Sequence, residues 1–315
     1  MDKYFVTNYQ RQNLLHTLFL VSGMLLLLSS IGWLIAGQIG ILWAFVTGAS
    51  ILLITPKVSP LLILHLYGAQ KMPPQISTQL DSVVQWLSKR SHLSLNPDLY
   101  YIPSSVMLAF SVGMNKNASI AISNGLLRQL NLREITAVLA HEISHIQSKD
   151  IWVMNMADII SRLTQFMSMI GYLLILFYVP FFVFTGEDIP WIIFILLLIA
   201  PIISTLMQLA LSRTREFNAD IQACKLTGDP GGLISALKKI DYYEKHWFKI
   251  LVQPGKNIPN PSILRTHPLT EERIRRLKLI TQEESNSFID RQQEDDLYSD
   301  SIERKPRQHL SGLWH

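Results

Sequence analysis

Four stretches of the chain contain no Asp, Glu, Lys or Arg: Leu14 to Ala36, Ile41 to Thr55, Phe166 to Phe184 and Ile189 to Leu211. A helix needs about 20 apolar residues to cross a bilayer. All four are therefore read as transmembrane helices, the second being short for the task. Gly37-Gln38-Ile39-Gly40 separates the first two, and Thr185-Gly186-Glu187-Asp188 separates the last two. Both are turn-like, which predicts two helical hairpins. Pro180 predicts a break in the third span. A cleaved signal peptide is the alternative for the first span, but its apolar core would be shorter and no clear small-x-small cleavage site follows.

Between the hairpins the pattern changes. Pro60 to Gln70 is apolar but carries His65 and Tyr67, as an interfacial segment or a lead into a folded domain would. Ile76, Leu80, Val83, Val84 and Leu87 mark one face of an amphipathic helix ending near Lys89-Arg90. Strand-like runs follow at Leu99 to Ile102, Val106 to Val112 and Ala118 to Ser123, the last two joined by a turn over Gly113 to Asn117. Leu126 to Leu130 is a short helix. Asn131, with Glu134 three residues on, reads as a capping box. It opens a helix in which Leu132, Ile135, Val138, Leu139, Glu142 and Ile146 recur at helical spacing. Beyond the second hairpin, the helix of the fourth span is expected to continue to Asp220. Asp229-Pro230 starts another, with Leu233, Ile234, Leu237 and Ile240 as its core face. His246 to Pro261 reads as a long surface loop, Glu271 to Ile280 as a short basic helix, and the polar chain from Thr281 as a mobile tail.

Composition supports the membrane reading. The chain is 49% hydrophobic and only 17% charged, with a mean hydropathy of +0.22. A soluble fold would have to bury four such spans in one core. Lys3, Arg11, Lys57, Arg162, Arg213 and Arg215 flank the spans on one side, while the two turns carry no Lys or Arg. By the positive-inside rule both termini and the strand-bearing segment are cytoplasmic and the turns face outward. A transporter usually needs charged groups deep within its spans, and these spans have none. No Lys/Arg cluster is interleaved with aromatics, so no nucleic-acid partner is expected. Cys224 is the one cysteine and reads as a small buried hydrophobe.

The candidate chemistry centres on His141-Glu142-Ile143-Ser144-His145, an H-E-x-x-H pattern. On a helix the two histidines are i and i+4, so both imidazoles leave one face a turn apart and suit one small tetrahedral ion. Glu142, beside them, stands where a general base can reach a metal-bound water. Two satisfied structural histidines would be the plainer explanation of the pentapeptide alone. A catalytic zinc site wants a third protein ligand, and Glu216 can supply it, with Asp220 one turn on holding a ligand histidine's other N–H. His16, His309 and His315 are not expected to be ligands.

These motifs, with Arg265-Thr266-His267-Pro268 and their order along the chain, resemble the HtpX-like membrane zinc endopeptidases, which are related to the CAAX prenyl endopeptidases. The resemblance covers roughly residues 10 to 280. It implies Zn2+ held by His141, His145 and Glu216, with Glu142 as catalytic base and His267 near the substrate or developing oxyanion. It also implies protein or peptide substrates, membrane proteins among them, cleaved at the cytoplasmic face of a prokaryotic inner or plasma membrane. Leu108 departs from the Asn that similar proteins often carry there. The expected fold is a mostly helical α+β membrane protein with two transmembrane hairpins and a zincin-like catalytic domain holding a small sheet. The expected segments are a hairpin over 1–57, catalytic parts over 58–165 and 212–280 around a second hairpin over 166–211, and a tail over 281–315. The strand at Ala118 to Ser123 is expected to pair with an extended substrate. A catalytically silent membrane scaffold retaining the fold is the alternative function.

Overall fold

A computed structural model describes residues 3–54, 60–114, 117–186, 191–251 and 270–279. The first two apolar runs lie in one helical stretch, α1 (Lys3–Ile54), interrupted only at Ala36 and Gly37. Gly37 has φ 59°, a left-handed value that glycine adopts without a steric cost. Beyond the interruption the backbone comes back against itself, and a Cβ on Gly40 would collide with the carbonyl oxygen of Gly32.

The later apolar runs form α6 (Asp150–Thr185) and α7 (Trp191–Thr227). Both are longer than the spans read from sequence. α6 begins well before Phe166 and runs unbroken through Pro180, and α7 runs through Pro201. A proline inside a membrane helix is tolerated where neighbouring groups satisfy the freed carbonyl. Among the described residues, three helices are thus long and apolar enough to cross a membrane: Asn13–Ser50 within α1, then α6 and α7. Met24 and Leu28 before the interruption of α1 and Ala44 after it pack in one cluster with Ala157, Ile160, Leu163 and Leu211. Their outer faces leave Phe19, Leu26, Phe177, Phe184 and Ile192 exposed, an apolar surface suited to lipid.

Between α1 and α6 lie α2 (Pro60–Leu66), β1 (Gln70–Lys71), α3 (Pro74–Arg90), β2 (Asp98–Ile102), β3 (Ala109–Val112), β4 (Ser119–Ser123), α4 (Asn124–Gln129) and α5 (Leu132–Ser148). The strands form one mixed sheet in the order β1-β2-β4-β3, with β2 and β4 parallel and the other pairs antiparallel. Alternation along the strands sorts side chains to two faces. Leu99, Ile120 and Ile122 join the main core with Leu80, Val84 and Leu87 of α3 and Leu139 and Ile143 of α5. Tyr100, Ile102, Phe110, Val112 and Ala121 pack on the other face with Leu64 of α2. β4 is buried at all five positions because both faces are covered.

Several expectations change here. β1 was not foreseen; two residues carry too little pattern to be seen. The strand expected from Val106 begins only at Ala109, because the Leu108 amide and carbonyl are taken by the Ser123 hydroxyl and amide. β4 lies inside the sheet with both edges paired, so it cannot accept an added peptide strand; among the described residues the edge strands are β1 and β3. The loop expected from His246 is instead the end of α8 (Pro230–Leu251), since nothing in Tyr242 to Leu251 breaks a helix. Residues 270–279 form a last helix, α9. The long loop beyond Leu251, the R-T-H-P motif and the tail lie outside the described residues.

Candidate metal centre

The first link is the start of α5. The Asn131 side chain accepts the Glu134 amide, and the Glu134 carboxylate accepts the Asn131 amide, both at 2.9 Å. This closes the capping box read from sequence. Glu134 also accepts from Ser235 and Lys239 on α8, at 2.6 and 2.8 Å. With its start fixed and most of its length buried, α5 has one rotational setting. That setting turns His141 and His145 towards α7, where Glu216 and Asp220 sit one turn apart.

His141 Nε2 and His145 Nε2 are 3.1 Å apart, and they lie 3.4 and 3.5 Å from the two oxygens of Glu216. Ligand atoms about 2.0–2.1 Å from a tetrahedral zinc ion stand roughly 3.3 Å from one another, and each of these separations is close to that value, with a different oxygen of Glu216 facing each histidine. Among the described residues, His141, His145 and Glu216 form the group able to hold a metal. Glu142 is also buried, close enough for its charge to act on His145 and Arg273.

Each histidine is held from behind. His141 Nδ1 is 3.0 Å from Asp220 Oδ1, the contact the E-x-x-x-D spacing suggests. Arg273 of α9 grips both oxygens of Asp220, at 2.6 and 2.8 Å, and reaches Glu216 at 3.3 Å. His145 Nδ1 meets Asp150 Oδ2 at 2.8 Å. Asp150 comes within reach because Lys149 takes a left-handed conformation, φ 54°, at the single-residue corner between α5 and α6. That is an uncommon backbone for a residue other than Gly, Asn or Asp. Asp150 in turn pairs with Arg215 at 3.1 Å.

Burial pulls both imidazoles down, but their carboxylate partners outweigh it. His141 is raised by its hydrogen bonds to Asp220 and Glu216. His145 is held well above the ordinary histidine value by its bonds to Asp150 and Glu216 and by the charges of Glu216 and Glu142. Burial pushes the Asp220 carboxyl up, yet Arg273 and His141 hold it below the usual range. The Arg273 guanidinium stays charged despite burial because Asp220, Glu216 and Glu142 surround it.

The sequence-derived residues His141, Glu142, His145, Glu216 and Asp220 therefore converge, while His267 lies outside the described residues. Asp150, Arg215 and Arg273 were missed as site residues. Arg215 and Arg273 could be seen only as topology and surface charge, and Asp150 lay in a stretch assigned to no element.

Comparison with known proteins places the molecule first in a class, that of membrane-bound, multi-pass metalloproteases. A protease HtpX homolog of Sulfurovum sp. (strain NBC37-1) is 32% identical over 279 residues, covering 84% of this chain and 98% of that protein. The protease HtpX homolog of Aquifex aeolicus (strain VF5) is 32% identical over 276 residues, 80% of this chain and 87% of its own. The crystal structure of S. mikatae Ste24p shares the fold, with a TM-score of 0.50 and 22% identity over 86% of this chain and 67% of that one. The chain belongs to peptidase family M48, whose family model matches residues 74–281.

Proposed function

We propose that the protein is a zinc endopeptidase that hydrolyses peptide bonds of membrane or misfolded proteins at the cytoplasmic face of a prokaryotic cell membrane. The observation that carries this is the convergence of His141, His145 and Glu216, whose ligand atoms all lie within 4.8 Å of one another, with the buried carboxylate of Glu142 beside them. A zinc ion held by these three residues would supply Lewis acidity, polarising a peptide carbonyl and making water acidic near neutral pH.

The chain's own residues do the rest. Glu142 takes the proton of the attacking water and passes it to the leaving amine, so one carboxylate serves as base and then as acid. Asp220 and Asp150 hold the two imidazoles with Nε2 forward and fix the tautomer. β3 offers its free edge to an extended peptide, beside α5, so backbone recognition outweighs side-chain recognition and specificity is broad. Leu108 contributes little there, since its side chain packs with Leu64 and Phe110 on the far face of the sheet. His267 is assigned to the developing oxyanion by family resemblance.

The two ends of the apolar runs support a topology of two hairpins, 1–57 and 166–211, with catalytic parts 58–165 and 212–280 on the cytoplasmic side and 281–315 as a tail. The Lys/Arg bias favours that orientation. A reporter fused after Ile280 is expected to score as cytoplasmic and one inserted at Gly186 as external; the reverse pattern would overturn the orientation. The activity is tested by metal analysis of the purified full-length protein and by casein cleavage with and without a chelator. Stoichiometric zinc and chelator-sensitive cleavage are expected. Zinc without cleavage would instead mark a silent scaffold.

A further inference from the structure

His145 is tied to a part of the molecule far from the catalytic core. Asp150 Oδ2 meets its Nδ1, Asp150 Oδ1 accepts from Arg215 at 3.1 Å, and the other terminal nitrogen of Arg215 donates to Thr17 Oγ1 at 2.8 Å. Thr17 lies on α1, within the first apolar run. The relay therefore joins the end of α5, the start of α6, α7 and the first membrane helix at one point.

The direction of each bond is set by chemistry. Arginine has only donors, so Thr17 must accept. The single proton of the Thr17 hydroxyl is already committed, because Oγ1 lies 2.8 Å from the carbonyl oxygen of Asn13 and donates to it. A lone pair is thus left facing Arg215. Thr17 is 7% exposed and Asp150 2%, so water is poorly placed to substitute for either. Without the Thr17 acceptor, a buried guanidinium N–H has no fixed partner, and Arg215 is free to turn. Asp150 then loses the group that fixes its rotamer, and His145 loses its support.

We propose that Thr17 and Arg215 are positioning residues for the metal centre, so that the first membrane helix sets the orientation of the His145 imidazole through Arg215 and Asp150. This rests on His141, His145 and Glu216 being the metal ligands. A simpler role for Arg215, neutralising Asp150, would leave Thr17 without influence, and that is where the two accounts part.

The test uses the full-length protein in detergent or nanodiscs, with zinc affinity measured by chelator competition and the Co2+-loaded site by its visible absorption. Thr17→Val keeps the size and removes the acceptor. It is expected to weaken zinc by about tenfold, the lower end of what loss of an outer-shell partner costs. It should also change the Co2+ spectrum and lower kcat with KM unchanged. Thr17→Ser should restore all three to within about twofold. Ser22→Ala removes a comparable hydroxyl-to-carbonyl bond on an exposed face of α1 and should behave as the parent. Parent-like zinc affinity and Co2+ spectrum in Thr17→Val would overturn the proposal. If Thr17→Val does not fold, Thr17→Ala decides: it also removes the hydroxyl acceptor of Arg215 and leaves the charge beside Asp150 in place, and parent-like affinity in that variant would equally overturn it. A parent protein that binds no zinc, or a His145→Ala variant that binds it as tightly as the parent, would show instead that the metal assignment itself is wrong, and this inference falls with it.

Discussion

The two histidines of α5 are supported by the same device built from different parts of the molecule. Behind His141 stand Asp220 and Arg273; behind His145 stand Asp150 and Arg215. In the first half, Arg273 holds both Asp220 oxygens and also touches Glu216, so α5, α7 and α9 are locked together beside the metal ligands. In the second half, Arg215 divides its donors between Asp150 and Thr17, so support passes out of the catalytic region into α1. Their electrostatics differ as well. The charge of Arg273 and that of His145 oppose protonation of His141, whereas Glu216 and Glu142 favour protonation of His145. One half closes the site, and the other connects it to the membrane. The same local chemistry can serve both ends because an imidazole needs only one oriented carboxylate, wherever that carboxylate is anchored.

The largest expected effect leaves both halves intact. Glu142→Gln removes the proton acceptor but no ligand, so turnover should fall by about 10²–10⁴-fold while zinc stays bound. Loss of stoichiometric zinc in a folded Glu142→Gln protein would show that its role is misplaced. Next is the residue both halves share. Glu216 presents one oxygen to each histidine, so Glu216→Ala should lose zinc affinity and cleavage together. If chelator titration shows zinc bound as tightly as in the parent, the third ligand lies elsewhere and His267 is the first candidate.

Asp220→Asn and Asp150→Asn then set one half against the other. Each should weaken zinc by about 10–100-fold, less than loss of a ligand. A pH series sharpens the comparison. Both imidazoles have raised values in the metal-free protein, and a ligand histidine must be neutral. Zinc therefore displaces protons, and its affinity should rise with pH until both values are passed, by up to about tenfold per pH unit for each proton displaced. Removing either carboxylate should lower the value of the histidine it holds and so move part of that rise to lower pH. An unchanged pH dependence in both variants would mean that neither carboxylate sets the protonation of its histidine.

Legibility in the sequence followed the same division. His141, Glu142, His145, Glu216 and Asp220 were readable because each pair sits at i, i+4 or within one turn, where helical geometry makes spacing equivalent to proximity. Asp150 and Arg215 were not, because the contact depends on the left-handed corner at Lys149 and on how α6 and α7 pack against α1. Neither leaves a periodic trace. Arg273 could be placed on a basic helix but not in a buried ion pair, since sequence shows a charge without its partner. The uncharged runs announced the membrane helices, and the polar continuation of the fourth was expected as far as Asp220, but the start of α6 was misplaced, because that helix begins at Asp150, well before its apolar stretch. The order of strands was hidden too: a parallel β2–β4 pairing places β4 between its neighbours and leaves β3 at the edge.

The smallest effect tests whether the halves depend on the common element that carries them. Glu134 lies at the far end of α5 from His145, where it accepts from the Asn131 amide, Ser235 and Lys239. Glu134→Ala opens the capping box and frees Lys239, whose side chain is 41% exposed, so the ion pair is largely screened. The loss should be about 1–2 kcal/mol, mostly from the cap and the buried hydrogen bonds. Burial raises the Glu134 value, but Lys239, Ser235 and the Asn131 amide together bring it below the ordinary carboxylate value. Its stabilisation is therefore fully present above the ordinary glutamate range and is lost as pH falls through the lower folded value. Denaturant midpoints of parent and Glu134→Ala should accordingly differ at pH 7 and converge in acid, while zinc affinity per folded molecule is unchanged. A fall in zinc affinity as large as that of Asp220→Asn would mean that the rotational setting of α5, rather than the two carboxylates, positions the histidines.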